Sequence, residues 1–378
     1  MTNKSIFILA GEPSGDLHGA ALASSLKQQL PDLSLSGWGG PLMESSGVDI
    51  LRTLDKLAFM GFVEVIKNAG KILENFREIK KQLTTNRPDA LLLVDYPGFN
   101  LRLARWAASK DIPVYFFVSP TVWAWKPKRM YKVRDYIKKM YCILPFEPPF
   151  YEKHGIVNAL YLGNPLIDKV HNFVADPKIQ NQLSQNAPYI AVLPGSRQQE
   201  LDYVFPEMVL TMRGMSEMQF VVACSDQLPP AAYEVILKQL HPEYSNHITL
   251  IRALTYDVLQ GSTSAMVTSG TATLETALFG IPQVVCYKTS KLNFAIASAV
   301  VKLKFISLVN LIYGGELVTE LIQKKCTAQH IISELKQLNL PGRRTEVLNG
   351  YKQIKSQLGE PDVAGRVATH LISSLGWK

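Results

Sequence analysis

Two serines, a glycine, three threonines and a glutamate lie close together in Ser264-Ala265-Met266-Val267-Thr268-Ser269-Gly270-Thr271-Ala272-Thr273-Leu274-Glu275. The stretch reads as a buried strand that breaks at Ser269-Gly270 straight into a helix. Gly270 allows a tight backbone path, and Thr271 to Thr273 offer N–H groups and hydroxyls at the positive end of that helix, which suits an anion. Glu275 falls about one turn inside, where a carboxylate can accept hydrogen bonds from the vicinal hydroxyls of a ribose. The same residues also make an ordinary strand-to-helix turn with a helix-favouring acid in its first turn.

A second loop of this kind follows the apolar run Tyr189 to Leu193, as Pro194-Gly195-Ser196-Arg197 and then a polar helix start containing Glu200. Arg197 adds a planar fork of donors matched to phosphate oxygens. Either loop alone is a weak signal, but two of them about seventy residues apart in one strand-helix repeat point to a nucleotide site. A third glycine turn, Ala10-Gly11-Glu12-Pro13-Ser14-Gly15-Asp16, lacks the G-x-G-x-x-G spacing, and Glu12 would repel a pyrophosphate, so no nicotinamide or flavin cofactor is expected. Glu12, Ser14, Gly15 and Asp16 suit sugar hydroxyls instead, with a helix N-cap as the alternative role for Asp16.

These loops need strands to carry them. Apolar runs of strand length occur at Ser5 to Ala10, Leu33 to Trp38, Ala90 to Val94, Val114 to Val118, Met140 to Leu144 and Ala159 to Leu162. Helix-like stretches alternate with them at Leu17 to Gln29, Val63 to Leu83, Leu101 to Ser109 and Pro148 to His154. After the polar stretch Asp176 to Pro188 the pattern restarts, with strands at Tyr189 to Leu193, Phe220 to Ala223, Ile248 to Ile251, Ser264 to Thr268, Gln283 to Tyr287 and Phe305 to Leu308. The expected class is α/β, two Rossmann-like doubly wound domains facing across a cleft. Residues 1–185 and 186–342 form the two domains. Two further helices, Arg343 to Leu358 and Pro361 to Leu375, have no strand after them and pack back on what is already built.

Composition narrows the partners. The chain has 378 residues, a size that favours two domains, and its net charge of +8 suits an acidic partner. Nucleic acid is not expected, because the basic residues are scattered apart from Lys126 to Lys139 and no helix-turn-helix, zinc-finger or RNP signature occurs. The four cysteines have no CxxC spacing and the seven histidines form no HxxxH pair, so neither a disulfide framework nor a metal site is expected. No run approaches the length of a membrane span, and the opening run Ile6 to Ala10 passes directly into a glycine turn, unlike a signal peptide. A cytoplasmic protein, at most peripheral on a membrane, is the expectation.

The glycine turn Gly11 to Asp16, Met60-Gly61-Phe62-Val63-Glu64-Val65, Asp95-Tyr96-Pro97-Gly98-Phe99-Asn100, Ser119-Pro120-Thr121-Val122-Trp123-Ala124-Trp125, Leu144-Pro145-Phe146-Glu147, Leu193 to Arg197, Ser269-Gly270-Thr271 with Glu275, and Ser307-Leu308-Val309-Asn310 follow one another in an order that resembles the bacterial lipid-A-disaccharide synthase family. The resemblance runs from near the N-terminus to about Cys326. It implies a GT-B glycosyltransferase fold and a metal-independent enzyme without a cofactor, working at the cytoplasmic face of the inner membrane. The implied reaction joins UDP-2,3-diacylglucosamine to 2,3-diacylglucosamine 1-phosphate, lipid X, by a β-1,6 bond and releases UDP. Val309 stands where the family commonly has Pro, and Gly315-Glu316-Leu317-Val318-Thr319-Glu320 departs from a pattern that begins with a basic residue. Glu316, Glu320 and Gln323 are candidates for the donor sugar.

The implied mechanism is inverting, with Asp95 as general base for the acceptor 6-hydroxyl; a cap of the following turn is its structural alternative. Gly195, Ser196, Arg197, Ser269, Gly270 and Thr271 would bind the nucleotide, with Arg197, the helix starting at Thr271 and Asn310 stabilising the departing diphosphate, and the resemblance assigns Glu275 to the ribose. Leu57 to Val63, followed by Lys67, Lys71, Arg77, Lys80 and Lys81, could present Phe59, Met60 and Phe62 to lipid and cations to anionic headgroups, although a core-facing helix has the same pattern. Leu292 to Leu311 is a second such candidate. Pairing with a second copy as a homodimer is left open. A UDP-sugar 2-epimerase-like enzyme and a non-catalytic UDP-sugar-binding protein are the alternatives, and only the synthase needs an acceptor.

Overall fold

The computed structural model describes residues 4–56, 69–124, 129–185, 188–244, 247–300 and 303–377. The chain divides into two compact units, Met1–Asp168 with Gly359–Lys378, and Lys169–Leu358. In the first, β1 (Ser5–Ala10), β2 (Ser34–Gly39), β3 (Asp49–Thr53), β4 (Ala90–Val94), β5 (Val114–Phe117), β6 (Lys139–Cys142) and β7 (Ala159–Tyr161) form one sheet in the order β3-β2-β1-β4-β5-β6-β7. All its pairings are parallel.

A parallel sheet with helices on both faces buries both sets of alternating side chains, which is why its strands read as unbroken apolar runs. Phe7, Leu9, Leu91, Leu93 and Phe116 share one core with Phe99, Leu101 and Leu103 of the helix Pro97–Ala108. Ile6, Ile8, Leu92, Val94 and Tyr115 share the other with Leu22, Ala23 and Leu26 of the helix Pro13–Gln29. The last helix, Val363–Ser374, completes this second core through Val367, Ala368 and Leu371. It is fastened by the Asp168 carboxylate, which accepts the N–H groups of Asp362 at 2.6 Å and Val363 at 2.9 Å. Arg366 also donates to the carbonyls of Leu162 and Pro361.

In the second unit β8 (Tyr189–Leu193), β9 (Gln219–Cys224), β10 (Ile248–Arg252), β11 (Ser262–Thr268), β12 (Gln283–Tyr287) and β13 (Glu320–Ile322) form a second all-parallel sheet, ordered β10-β9-β8-β11-β12-β13. Both sheets are doubly wound, as expected. Each has its strand order reversing beside its first strand, at β1/β4 and at β8/β11.

The unit boundaries differ from the expected 185/186 and 342/343. The helix Pro177–Ser184 is polar outside, but Leu183 enters the second core, and Gln180 and the Asp176 N–H both donate to Asp257. The helix Pro341–Leu358 stays with the second unit, where Arg343 donates to Leu317 O at 2.7 Å and Arg344 to Thr263 O at 2.9 Å. The expected strand Phe305 to Leu308 is absent: Ser307 instead caps the helix Leu308–Tyr313, accepting from the Asn310 N–H. The place beside β12 goes to the three-residue β13.

Asp16 is not turned toward a ligand. It is 2% exposed, and its carboxylate accepts the N–H groups of Gly40 at 2.7 Å and of Leu42 and Met43 at 3.1 Å, closing the start of the short helix Pro41–Ser45. Asp16 is thus an N-terminal cap, but for a helix other than its own, and this corrects its assignment to sugar hydroxyls. Asp16→Ala is expected to cost roughly 2–4 kcal/mol, since three buried donors lose a charged acceptor, and thermal unfolding reads the loss.

Candidate functional site

The two predicted nucleotide loops leave neighbouring strands at the switch point of the second sheet and line one cavity of about 430 Å³. Gly195, Ser196 and Arg197 supply one side, Ser269, Gly270 and Thr271 the other, and Glu275 lines it as well. Cys224 at the end of β9, Ser225 and Asp226 after it, and Ala253 and Thr255 after β10 add a wall that the sequence reading missed. Its signal was positional: these residues lie at the ends of the apolar runs of β9, beside β8, and of β10 beyond it, at the same carboxyl edge.

Gly195 has φ of 104°, and a Cβ there would collide with the Glu200 carboxylate. That carboxylate accepts the N–H groups of Ser196 at 2.8 Å and Arg197 at 3.1 Å, and pairs with the Arg197 guanidinium at 3.0 Å. The backbone donors expected to cradle a phosphate are therefore held by an acid of the chain itself. The Arg197 side chain, 77% exposed, remains well placed to meet an anion. Gly270 is extended, with φ of 167°, a conformation open to any residue, so the expected tight path is not what requires glycine there. No atom lies within 4 Å of a Cβ built on it, and a side chain would take space from the cavity.

Thr271 is exposed at the start of the helix Thr271–Leu278, whereas Thr273 turns its hydroxyl back to Gly270 O at 2.8 Å. The Ser269 hydroxyl donates to Ile306 O at 3.3 Å. Glu275 is 13% exposed and its Oε1 accepts from the Tyr256 hydroxyl at 2.6 Å and from Lys169 Nζ at 3.2 Å. Burial, and after it the Glu275 charge, push the Tyr256 phenol far above its ordinary value, so it stays a donor. A second cavity of about 280 Å³, lined by Lys169, Phe173, Tyr256 and Asp257, shares Ala253, Thr255 and Glu275 with the first.

The donor-sugar and diphosphate candidates Asn310, Glu316, Glu320 and Gln323 do not line the larger cavity. Asn310 is fully buried: its Nδ2 donates to Val318 O and Glu320 Oε1, and its Oδ1 accepts the N–H groups of Leu317 and Val318. Glu320 takes the N–H groups of Ile306 and Ser307 and the Ser307 hydroxyl. These two are corrected to structural clamps, their hydrogen-bonding capacity directed at the chain. Glu316 is exposed. Gln323, at φ of 52°, accepts the Thr289 N–H at 3.4 Å and leaves its Nε2 buried without a partner.

The equivalent edge of the first unit carries Asp95. Asp95 and Tyr96 are consecutive non-glycine residues at φ of 48° and 49°, a strained pair. The turn is held by the Asp95 N–H donating to Phe117 O at 2.9 Å and by buried Asn100, whose Nδ2 donates to Asp95 O at 2.7 Å and Val94 O at 3.3 Å. The Tyr96 ring lies where a Cβ on Gly11 would be, which brings the first glycine loop against this turn. The Asp95 carboxylate accepts the N–H of Tyr96, the residue that begins the helix Pro97–Ala108 and whose own side chain makes no cap. Burial raises the Asp95 carboxyl above the ordinary range, opposed by the Tyr96 N–H.

Glu12 sits at the start of the helix Pro13–Gln29 without capping it, near enough to Tyr96 to raise its phenol, after burial. Ser14 is exposed, and Gly15 packs on β1, where a Cβ would come within 3.2 Å of Ala10. The motifs Ser119 to Trp125 and Leu144 to Glu147 meet at Glu147, 1% exposed, which accepts from Ser119 Oγ at 2.6 Å, Trp123 Nε1 at 3.0 Å and the Leu144 N–H at 3.0 Å. Phe59, Met60 and Phe62 lie outside the described residues. Among the described residues no cluster of three or more metal-ligating side chains is present, and no helix is long and apolar enough to cross a membrane.

The profile of the lipid-A-disaccharide synthetase family matches residues 6–364. The lipid-A-disaccharide synthase of Syntrophus aciditrophicus is 35% identical over 97% of this chain and 97% of its own. In fold, the chain is similar to the calicheamicin glycosyltransferase, with a TM-score of 0.62 at 16% identity over 100% of this chain and 99% of that one. It is similar also to the UDP-GlcNAc 2-epimerase of Methanocaldococcus jannaschii, with a TM-score of 0.62 at 13% identity over 98% and 99%. The fold is thus shared by glycosyltransferases and epimerases, and the sequence relatives separate the two.

Asn310 offers a direct check on the reassigned residues. Asn310→Ala is expected to lower stability by on the order of 3 kcal/mol, because four buried backbone and side-chain groups lose their partner. Its affinity for UDP, measured by calorimetry on folded protein, is expected to stay at the wild-type value.

Proposed function

The chain belongs to the lipid-A-disaccharide synthetase family, glycosyltransferases of lipid A biosynthesis, and from that premise we propose the following reaction and division of labour. The donor is UDP-2,3-diacylglucosamine and the acceptor 2,3-diacylglucosamine 1-phosphate. The acceptor 6-oxygen attacks the anomeric carbon on the face opposite UDP. Its bond to that carbon forms as the bond from carbon to the diphosphate oxygen breaks, giving a β-1,6 linkage and free UDP.

The observation that carries the reading is the cavity at the β8/β11 switch point, where both glycine loops, Arg197 and Glu275 come together. The exposed Arg197 guanidinium and the N-terminus of the helix Thr271–Leu278 take the negative charge that develops on the departing diphosphate. Glu275 receives the ribose hydroxyls. No divalent metal is needed in this scheme. Asp95, on the first unit, accepts the proton of the acceptor hydroxyl. A carboxyl raised by burial is a stronger base once ionised, and it titrates closer to neutral pH.

The acyl chains call for an apolar surface, and we assign it to the first unit. Leu51 and Leu73, on the described elements to either side of the apolar run at 57–63, are 41% and 54% exposed. With a net charge of +8 the protein would rest on the anionic inner face of the inner membrane as a peripheral enzyme. Pelleting with anionic vesicles at low salt, partial release by high salt and fuller release by detergent are expected. Replacing Phe59 and Phe62 with Ser should weaken this binding; unchanged pelleting would return the segment to a core role.

The reaction is tested by incubating UDP-2,3-diacylglucosamine with and without the lipid acceptor: UDP release only with acceptor is expected, whereas isomerisation without it would mark an epimerase. Asp95→Asn keeps the shape and removes proton acceptance, so turnover should fall about a hundredfold or more under saturating substrates. For wild type, the acid limb of the rate profile should lie above that of an ordinary aspartate. The folded state holds its proton more tightly than the unfolded chain, so Asp95 makes folding less favourable as pH rises through the raised pKa. Asp95→Asn should then melt no lower than wild type at neutral pH. A lower melting temperature with near-normal turnover would make Asp95 structural.

A further inference from the structure

The two carboxylate oxygens of Glu275 are used unequally. Oε1 accepts from both the Tyr256 hydroxyl, at 2.6 Å, and Lys169 Nζ, at 3.2 Å, while Oε2 has no donor among the described residues. Each oxygen of an ionised carboxylate offers about two lone-pair sites, so Oε1 is filled and Oε2 is open. Tyr256 and Lys169 line the smaller cavity and not the larger, whereas Glu275 lines both. The carboxylate thus stands where the cavities join, with one oxygen taken up from the smaller side.

The donors are themselves held in place. Tyr256 is 8% exposed, and its ring meets those of Phe173 and Phe279 at centroid distances of 5.4 and 4.9 Å. Lys169 Nζ lies 4.6 Å from the centre of the same ring. A phenol kept protonated by burial presents its one hydrogen to the acid. Free glutamates turn about three side-chain bonds, and a short hydrogen bond to a fixed partner removes that freedom before a ligand arrives. We propose that Tyr256, backed by Lys169, is a positioning residue for Glu275: it occupies Oε1, leaves Oε2 as the acceptor of the ribose hydroxyls, and so sets the preference of the site for a ribonucleotide over one that lacks them. This rests on the assignment of Glu275 to the ribose.

Calorimetry with UDP and with 2′,3′-dideoxy-UDP on wild type, Tyr256→Phe, Lys169→Met and Glu275→Ala tests it. The quantity read is the ratio of the two affinities, which a general loosening of the site, or an attraction of the lysine for the diphosphate, leaves unchanged. Wild type should favour UDP by on the order of tenfold, and Glu275→Ala should bind the two alike. Tyr256→Phe keeps the ring packing and should lose most of the preference, about fivefold, through weaker binding of UDP alone. Lys169 is half-exposed, so Lys169→Met should lose less, about twofold, and it decides the matter should Tyr256→Phe fail to fold. A preference at or above the wild-type value in these two variants, or an equal loss for both ligands, would overturn the proposal; the ribose reading would still stand on the loss of preference in Glu275→Ala. No preference in wild type, or one that survives in Glu275→Ala, would overturn the ribose reading and the proposal together.

Discussion

The site depends on one constraint of parallel sheets. A strand buried on both faces must send its following chain to one face or the other, and where two neighbours choose opposite faces their loops diverge and leave a crevice. In the first unit the helix after β1 covers the face containing Ile8 and Leu92, and the helix after β4 covers the face containing Leu9 and Leu93. The second unit repeats the reversal at β8 and β11. The loop bearing Glu12 and the turn bearing Asp95 occupy one such position, and the loops bearing Arg197 and Gly270 the other. Strand order thus determines where chemistry is available before any side chain is considered.

That determination was legible in the residues. Tyr189 to Leu193 and Ala90 to Val94 match the observed strands because continuous apolar runs ending in turn residues have few other uses. Two edge strands were not legible: β3 has no fully buried residue, and β13 spans three residues between polar neighbours. The boundary was misread for a related reason. A polar surface on the helix Pro177–Ser184 concealed Leu183, which with Ile179 and the hydrogen bonds to Asp257 attaches that helix to the second core.

The polar candidates divide by where their partners come from. Asp16 by its loop, and Asn310 and Glu320 by the family resemblance, were ligand-binding candidates, yet their partners are mainly backbone groups of other segments, a relation that sequence position does not reveal. Glu200 shows the reverse. Three residues after Arg197 it reads as a helix start, but in the structure it holds the donors that a phosphate would seek. Asp95 differs from these in its strained backbone, at φ of 48°, and in a carboxyl raised by burial.

The fastening of the last helix to Asp168 bears on the order in which the molecule can be made. The second unit is a single uninterrupted span, whereas the first is assembled from both ends of the chain, with Val367, Ala368 and Leu371 in its core. Synthesis therefore delivers nearly all of the first unit before the residues that close it. The strands that leave the ribosome first wait, with one apolar face partly uncovered, while about 190 intervening residues are added and fold as a unit of their own. A premature stop near the end of the message would thus leave the later-made half whole and the earlier-made half open.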